Sequence, residues 1–509
     1  MSKFPHLRQD FAASIVVFLV AVPLCVGVAV ASGVPAELGL VTGIVGGLVT
    51  GLLPGSSLQV SGPAAGLTVL VFEAVSEFGV SALGVIVLMA GLLQLAMGFL
   101  RIGRWFRAIS VSVVEGMLCG IGLVIIAGQI YAAAGMKAPE AGIGKIVGLP
   151  GAFADALGST KALASLAIGA GTIAVIVLWK KTPKKAQTVP GALAAVLLAT
   201  VVSLAFGLPV ATVEVEGLLG VIQPPGLDAF GELAGPAIWG TIIAFALIAS
   251  AESLFSAAAV DRMHDAPRTQ YDKEMIAQGG GNTVCGLLGA LPMTAVIVRS
   301  SANVSAGAKT KASRVLHGVW LLLFAAALPS ALALIPLPAL AGILVHAGWK
   351  LIPFRQVAGL WRSHRGEALI LVVTAVSIVV VNMFEGVLIG LALAVVKTAW
   401  EASHLKTEVI DKGAGPIQVY LSGNATFLRL PKILDNLEAL PRDHPIEVDL
   451  SGLHHLDHAC RTALENWAQR HSAPDTEPVK VTTTHAPARA DDGAVGPDSS
   501  SSGRVRNLG

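Results

Sequence analysis

The sequence predicts an all-α polytopic membrane protein followed by a small cytoplasmic α/β unit. Three observations carry this. Of 509 residues, 54% are hydrophobic and only 13% are charged, whereas about 25% of residues are charged in soluble proteins. The apolar residues form long runs rich in Leu, Val, Ala and Gly, without the period-two alternation of membrane barrel strands, so helices are the spanning elements. After Trp400 those runs stop and a soluble pattern begins.

A spanning helix needs about 20 residues, and full spans fall near 10–31, 36–53, 82–100, 109–130, 162–179, 189–207, 237–260, 274–291, 315–335, 337–352, 367–383 and 384–400. The first run contains Pro23 and continues into apolar sequence, so it reads as a span and not as a cleaved signal. Two further stretches are apolar but broken, "SLQVSGPAAGLTVLVFEAV" (57–75) and "GALPMTAVIVRSSANVSAGAKT" (289–310). Each has an extended β-branched part, then small residues, then a short apolar run. Counted as half-strand, half-helix crossings, they bring the total to 14 transmembrane segments. They stand third and tenth, in matching places of a 7+7 inverted repeat with halves at about 8–207 and 237–402. Interrupted segments in matching places mark a transporter-like binding site at the membrane midplane.

Charge placement tests the count. With the N-terminus inside, Arg101, Arg104, Arg107, Lys180, Lys181, Arg262, Arg268, Lys309, Lys311, Arg314 and Lys350 all fall on the cytoplasmic side. The outer side keeps only Lys137, Lys145 and Lys161. The positive-inside rule therefore places both the N- and C-termini in the cytoplasm. The transmembrane part is residues 1–402.

Beyond it, 403–485 reads strand, strand, amphipathic helix, strand ("IEVDLSG") and a helix from about Ala459 to His471. The tail 486–509 is rich in Ser, Gly and Asp and is expected to be disordered. Cys25, Cys119, Cys285 and Cys460 are scattered, which suits small packing residues better than a disulfide framework. "HHLDHAC" (454–460) matches no zinc spacing and is expected to be a loop of solvated histidines. No Gly-Lys-Ser/Thr phosphate loop and no nucleophile–base pair occurs, so neither ATP hydrolysis nor another enzymatic activity is expected. No nucleic-acid partner is expected either.

The chemistry concentrates in the broken segments. Ser61-Gly62-Pro63-Ala64-Ala65-Gly66 precedes a short helix, and the stretch from Ala295 to Ser300 repeats the device. Helix starts expose unpaired N–H groups and a positive dipole end, and small residues let an anion approach them. Small residues also serve helix–helix packing; their repetition at matched places favours the anion site. Arg299 adds a full positive charge too deep for easy snorkelling. Glu252 lies in the middle of an apolar span with Ser256 at i+4, so a carboxylate and a hydroxyl share one face for a proton or Na⁺. A structural Glu252–Arg299 pair is the competing reading. Glu73, Glu115 and Glu385 lie nearer segment ends, where interfacial roles are usual.

Through these residues the chain resembles the SulP family of anion permeases with a C-terminal STAS domain. The resemblance covers about 8–475 and rests on "VPLCVGVAVASGVPAELGLVTGIVGGLV", "LQVSGPAAG", "ALIASAESLFSAAAVDRM" and "KEMIAQGGGNTVCGLLGALPMTAVIVRSSANVSAGAKT", in that order. It implies core and gate domains, a homodimer in the lipid bilayer of the plasma membrane, and elevator-type alternating access. It places the anion site on Ala64, Ala65, Val296, Ile297, Val298 and Arg299, and the coupling-ion site on Glu252 and Ser256. Na⁺ or H⁺ would be the coupling ion, with no other cofactor, and the STAS unit would meet a cytoplasmic partner. Two departures stand out. Leu24-Cys25-Val26 replaces the glutamine and aromatic of many relatives, and "LDHAC" (456–460) offers no Ser/Thr for phosphoregulation. That tail is similar to those of bacterial members linked to carbonic anhydrase, which raises bicarbonate beside sulfate as substrate. The rival readings are a dicarboxylate or nucleobase permease of the same architecture, and an uncoupled anion channel or sensor.

Overall fold

In the computed structural model every predicted apolar run is helical. The structure describes residues 6–482 except 109, 140, 184–185, 216, 219, 412, 414 and 472–477; the tail expected to be disordered lies outside the described residues. The chain divides into two compact units between Ala394 and Val395.

In order, the first unit contains α1 (Leu7–Ala31), α2 (Ala36–Val45, continued by a π turn over Gly46–Thr50), β1 (Ser61–Pro63), α3 (Thr68–Phe78), α4 (Val80–Phe99) and α5 (Val111–Ala133). Next come α6 (Gly142–Val147), α7 (Leu149–Leu157), α8 (Thr160–Trp179), α9 (Gly191–Ala205), α10 (Pro236–Val260) and α11 (Tyr271–Leu287). Then follow β2 (Met293–Ala295), α12 (Ile297–Ser305), α13 (Ala312–Ala327), α14 (Pro329–Ala333), α15 (Leu337–Leu351), α16 (Phe354–Ser363), α17 (Arg365–Val380) and α18 (Met383–Ala402), whose last turns, from Val395, belong to the second unit.

Among the described residues, seven helices are long and apolar enough to cross a membrane unaided. The shorter ones have physical reasons. The run 315–335 is split into α13 and α14 by Pro329, which supplies no N–H and excludes helical backbone at the residue before it. Helix α11 carries Glu274, Gln278 and Asn282 at i, i+4 and i+8, and all three are buried. This polar stripe faces protein and not lipid. Glu274 accepts the Ser56 N–H at 2.7 Å, Gln278 donates to Ser61 Oγ at 2.7 Å, and Asn282 Oδ1 accepts the Met293 N–H at 2.7 Å.

Helix α11 lies along α4, and glycines set their approach. A Cβ on Gly286 would run into the Leu88 backbone, and one on Gly91 into the Thr283 N–H. Close backbone contact of this kind is how membrane helices pack without a hydrophobic drive between them.

The second unit is a four-stranded sheet of order β3–β4–β5–β6, built from β3 (Leu405–Ile410), β4 (Ile417–Ala425), β5 (Ile446–Leu456) and β6 (Lys480–Thr482). β3 pairs antiparallel with β4; the other pairs are parallel. Helices α19 (Leu430–Glu438) and α20 (His458–His471) pack on it through Ile433, Leu437, Leu464 and Trp467. The expected histidine loop is corrected: His454 and His455 belong to β5, and His458 opens α20. β6 was not expected. Asp457 caps α20, accepting the N–H of Cys460 at 2.7 Å and that of Phe427. Partial burial raises its pKa, but these backbone N–H groups outweigh burial and hold the carboxyl below its usual range. Burial, with the Asp457 charge beside it, pushes the Cys460 thiol up to about 12. All four cysteines are free and buried.

Candidate anion and coupling-ion site

The two broken segments meet. β1 and β2 form an antiparallel ladder, Ser61 opposite Ala295, Gly62 opposite Thr294 and Pro63 opposite Met293. Each strand runs directly into a helix. After β1, Ala64 is extended and a 3-10 turn, Ala65–Leu67, leads into α3; after β2, Val296 is extended and α12 begins at Ile297. Because the strands are antiparallel, the helix starts emerge from opposite ends of the ladder, beyond Pro63 and Ala295, which are themselves two strand steps or about 7 Å apart. Among the described residues no side chain caps either helix. At the first start the Leu67 and Thr68 N–H groups are taken by the Ala64 and Ala65 carbonyls, so the donors that remain are those of the turn before α3 and of the first turn of α12.

The ladder is held from all sides by polar side chains. Ser253 Oγ accepts the Ala295 N–H at 3.2 Å while its carbonyl accepts Gln59 Nε2 at 2.8 Å. Ser300 Oγ accepts the Val60 N–H at 2.9 Å, and Asn303 Nδ2 donates to the Leu58 carbonyl at 2.9 Å. Asn282 also donates to Gln94 Oε1 at 2.7 Å, and Gln94 donates to Ser250 Oγ at 3.0 Å. Buried strand edges require such partners. Sequence reasoning missed these residues, although the 274/278/282 stripe is a visible signal of a helix facing polar protein.

The expected anion residues fall into two groups. Ala65 and Val296 are half-buried, and Ile297 and Val298 are 40% and 44% exposed, so the helix starts open outward. Ala64 and Arg299 are buried behind them, Arg299 completely. The Arg299 guanidinium lies against Gly62, where a Cβ would strike Nη1, and Nη2 donates to the Pro63 carbonyl at 3.4 Å. Cys25, Gly43 and His317 surround it from α1, α2 and α13. Among the described residues its Nε and Nη1 find no hydrogen-bond partner.

Glu252 sits elsewhere. Its carboxylate lies against Gly66, where a Cβ would come within 2.6 Å of Oε1, and it pairs with the Thr294 hydroxyl. Ser256 is buried one turn further along α10. The competing reading of a Glu252–Arg299 ion pair is not met: among the described residues no carboxylate lies within ion-pair range of Arg299. The two charges approach different glycines, Gly66 and Gly62, of one segment. Among the described residues no cluster of three metal-ligating side chains occurs.

The sequence model of the sulfate permease family matches residues 7–374. The chain belongs to the sulfate permease family. The permease is 28% identical over 490 residues to the putative sulfate transporter YvdB of Bacillus subtilis, covering 91% of this chain and 89% of that protein. It is 25% identical to the bicarbonate transporter BicA of Picosynechococcus, covering 91% and 86%. Among solved structures, the transmembrane domain of a cyanobacterial BicA aligns with a TM-score of 0.64 at 24% identity, covering 77% of the permease and 98% of that chain. SLC26A9 aligns with a TM-score of 0.77 at 17% identity, covering 93% and 83%. These likenesses establish a shared, mostly helical membrane transporter fold. The permease is a multi-pass membrane transport protein and not an enzyme.

Proposed function

We propose that the permease is a secondary active symporter of a small inorganic anion, sulfate or bicarbonate, driven by Na⁺ or H⁺ across the plasma membrane. Both termini are cytoplasmic in this reading. The fourteen segments form core and gate domains that exchange access by an elevator movement within a homodimer, and the C-terminal unit is a STAS-like domain that meets a cytoplasmic partner.

The observation that carries the proposal is the pair of uncapped helix starts at opposite ends of the β1–β2 ladder. Each offers roughly half a positive charge, in a setting that excludes much of the water. The anion binds at Ala65 and at Val296, Ile297 and Val298, where N–H groups are open. Arg299 stands behind the ladder, with Gly62 and Pro63 between it and the open side. It therefore supplies a field through the backbone, while Ala64 sets the turn. Glu252, Thr294 and Ser256 hold the coupling cation or proton, as a buried carboxylate next to hydroxyls suits. A cation loaded at Glu252 offsets one negative charge of the bound anion.

Uptake of labelled anion by proteoliposomes tests this. Arg299→Ala and Glu252→Gln are each expected to abolish cation-coupled uptake. Undiminished, cation-dependent uptake in both variants would refute the assignment, and competition by uracil instead of anions would favour a nucleobase permease.

A further inference from the structure

Of the few basic residues expected on the outer side, Lys145 is not at the surface. It lies on α6 with 7% exposure. Its Nζ stands 4.8 Å from the centroid of the Phe72 ring on α3, and its carbonyl accepts from the Tyr131 hydroxyl at 3.1 Å. Beside it is a cavity of about 180 Å³, lined by Val30, Thr68, Phe72, Val124, Gln129 and Lys145 among others. Thr68 is 4% exposed, and its Oγ1 has no hydrogen-bond partner among the described residues. It is also the first residue of α3, directly after the Ala65–Leu67 turn. The cavity thus begins where one helix start of the anion site ends, and it closes on an ammonium.

We propose that this cavity is a second, outer anion site, occupied by an oxyanion between the outside solution and the β1–β2 ladder. This rests on the transport reading above. The walls are mostly apolar, which strengthens the attraction of a point charge for an anion, while the Thr68 hydroxyl and Gln129 amide offer donors. Lys145 is already engaged: Phe72 lies under it, and Glu73, with Glu77 and Glu385 nearby, lies within its electrostatic reach. Glu73 therefore competes with the arriving anion for the ammonium. Removing the lysine charge weakens outer binding; removing the Glu73 charge strengthens it.

The test measures transport of sulfate and of bicarbonate from each side separately, in intact cells expressing the permease and in inside-out vesicles. Lys145→Gln is expected to raise the external KM about five-fold, equivalent to about 1 kcal/mol, with the internal KM unchanged. Glu73→Gln is expected to lower the external KM, and Lys145→Arg to retain it. External values that stay unchanged in K145Q and E73Q, or that move equally on both sides, would overturn the outer site. If K145Q fails to reach the membrane, an external KM not lowered in E73Q overturns it alone. Wild-type protein that carries neither anion would instead overturn the transport reading itself.

Discussion

Arg299 and Glu252 are both recognisable in the sequence as charges in apolar surroundings, and their separate surroundings emerge only in three dimensions. Each is seated against a glycine of the same ten-residue neighbourhood. At Gly66 the atom in the way of a Cβ is the end of the Glu252 side chain, which can swing; at Gly286 it is the Leu88 backbone, which cannot. Gly66→Ala is therefore expected to leave stability nearly unchanged but to raise the cation concentration for half-maximal uptake several-fold. Gly286→Ala is expected to destabilise the protein by about 1–3 kcal/mol, the usual range for overpacking, with the cation dependence of the surviving protein unaltered. Thermal unfolding in detergent and cation titration of uptake, measured on both variants, check this. That Arg299 and Glu252 do not pair was not legible, because the partners that separate them, Pro63 and Thr294, are defined by a ladder joining positions more than 200 residues apart.

At the scale of elements, helices were legible because spanning lengths and apolar composition are local properties. The broken segments were legible for the same reason: small residues interrupt the apolar runs in both repeats, joined by Pro63 in the first. What escaped was the network that clamps them, since Asn282 meets Gln94 and Ser300 meets Val60 across long sequence separations. "HHLDHAC" was misread because its alternation continues β5 to Leu456 before Asp457 turns the chain into α20. That cap has a pH signature. Its carboxyl is held below the usual range by two N–H groups, so the charged form stabilises the fold above the unfolded value of about 3.9. The contribution is lost as pH falls through the depressed folded value. Asp457→Ala is expected to cost about 1 kcal/mol at neutral pH and nothing at a pH below that folded value. Hydrogen exchange of the α20 amides in the full chain reads the difference.

Across the whole molecule, the sidedness proposed from the charge asymmetry can be examined by labelling. Lys137 and Arg104 are both exposed, and the native cysteines are buried, so introduced thiols stand out. Lys137→Cys is expected to react with an impermeant maleimide on intact cells, and Arg104→Cys only after permeabilisation. The reverse pattern would invert the topology. The central claim is that two opposed helix starts and a neighbouring acid couple an anion to a cation. Uptake of labelled sulfate and bicarbonate by the purified permease in proteoliposomes, with sodium and proton gradients imposed separately, tests it most directly. Accumulation of one anion above its external concentration, driven by one of the two gradients and lost when that gradient is removed, is the expected result; anion flux that follows membrane voltage alone and never concentrates would contradict it.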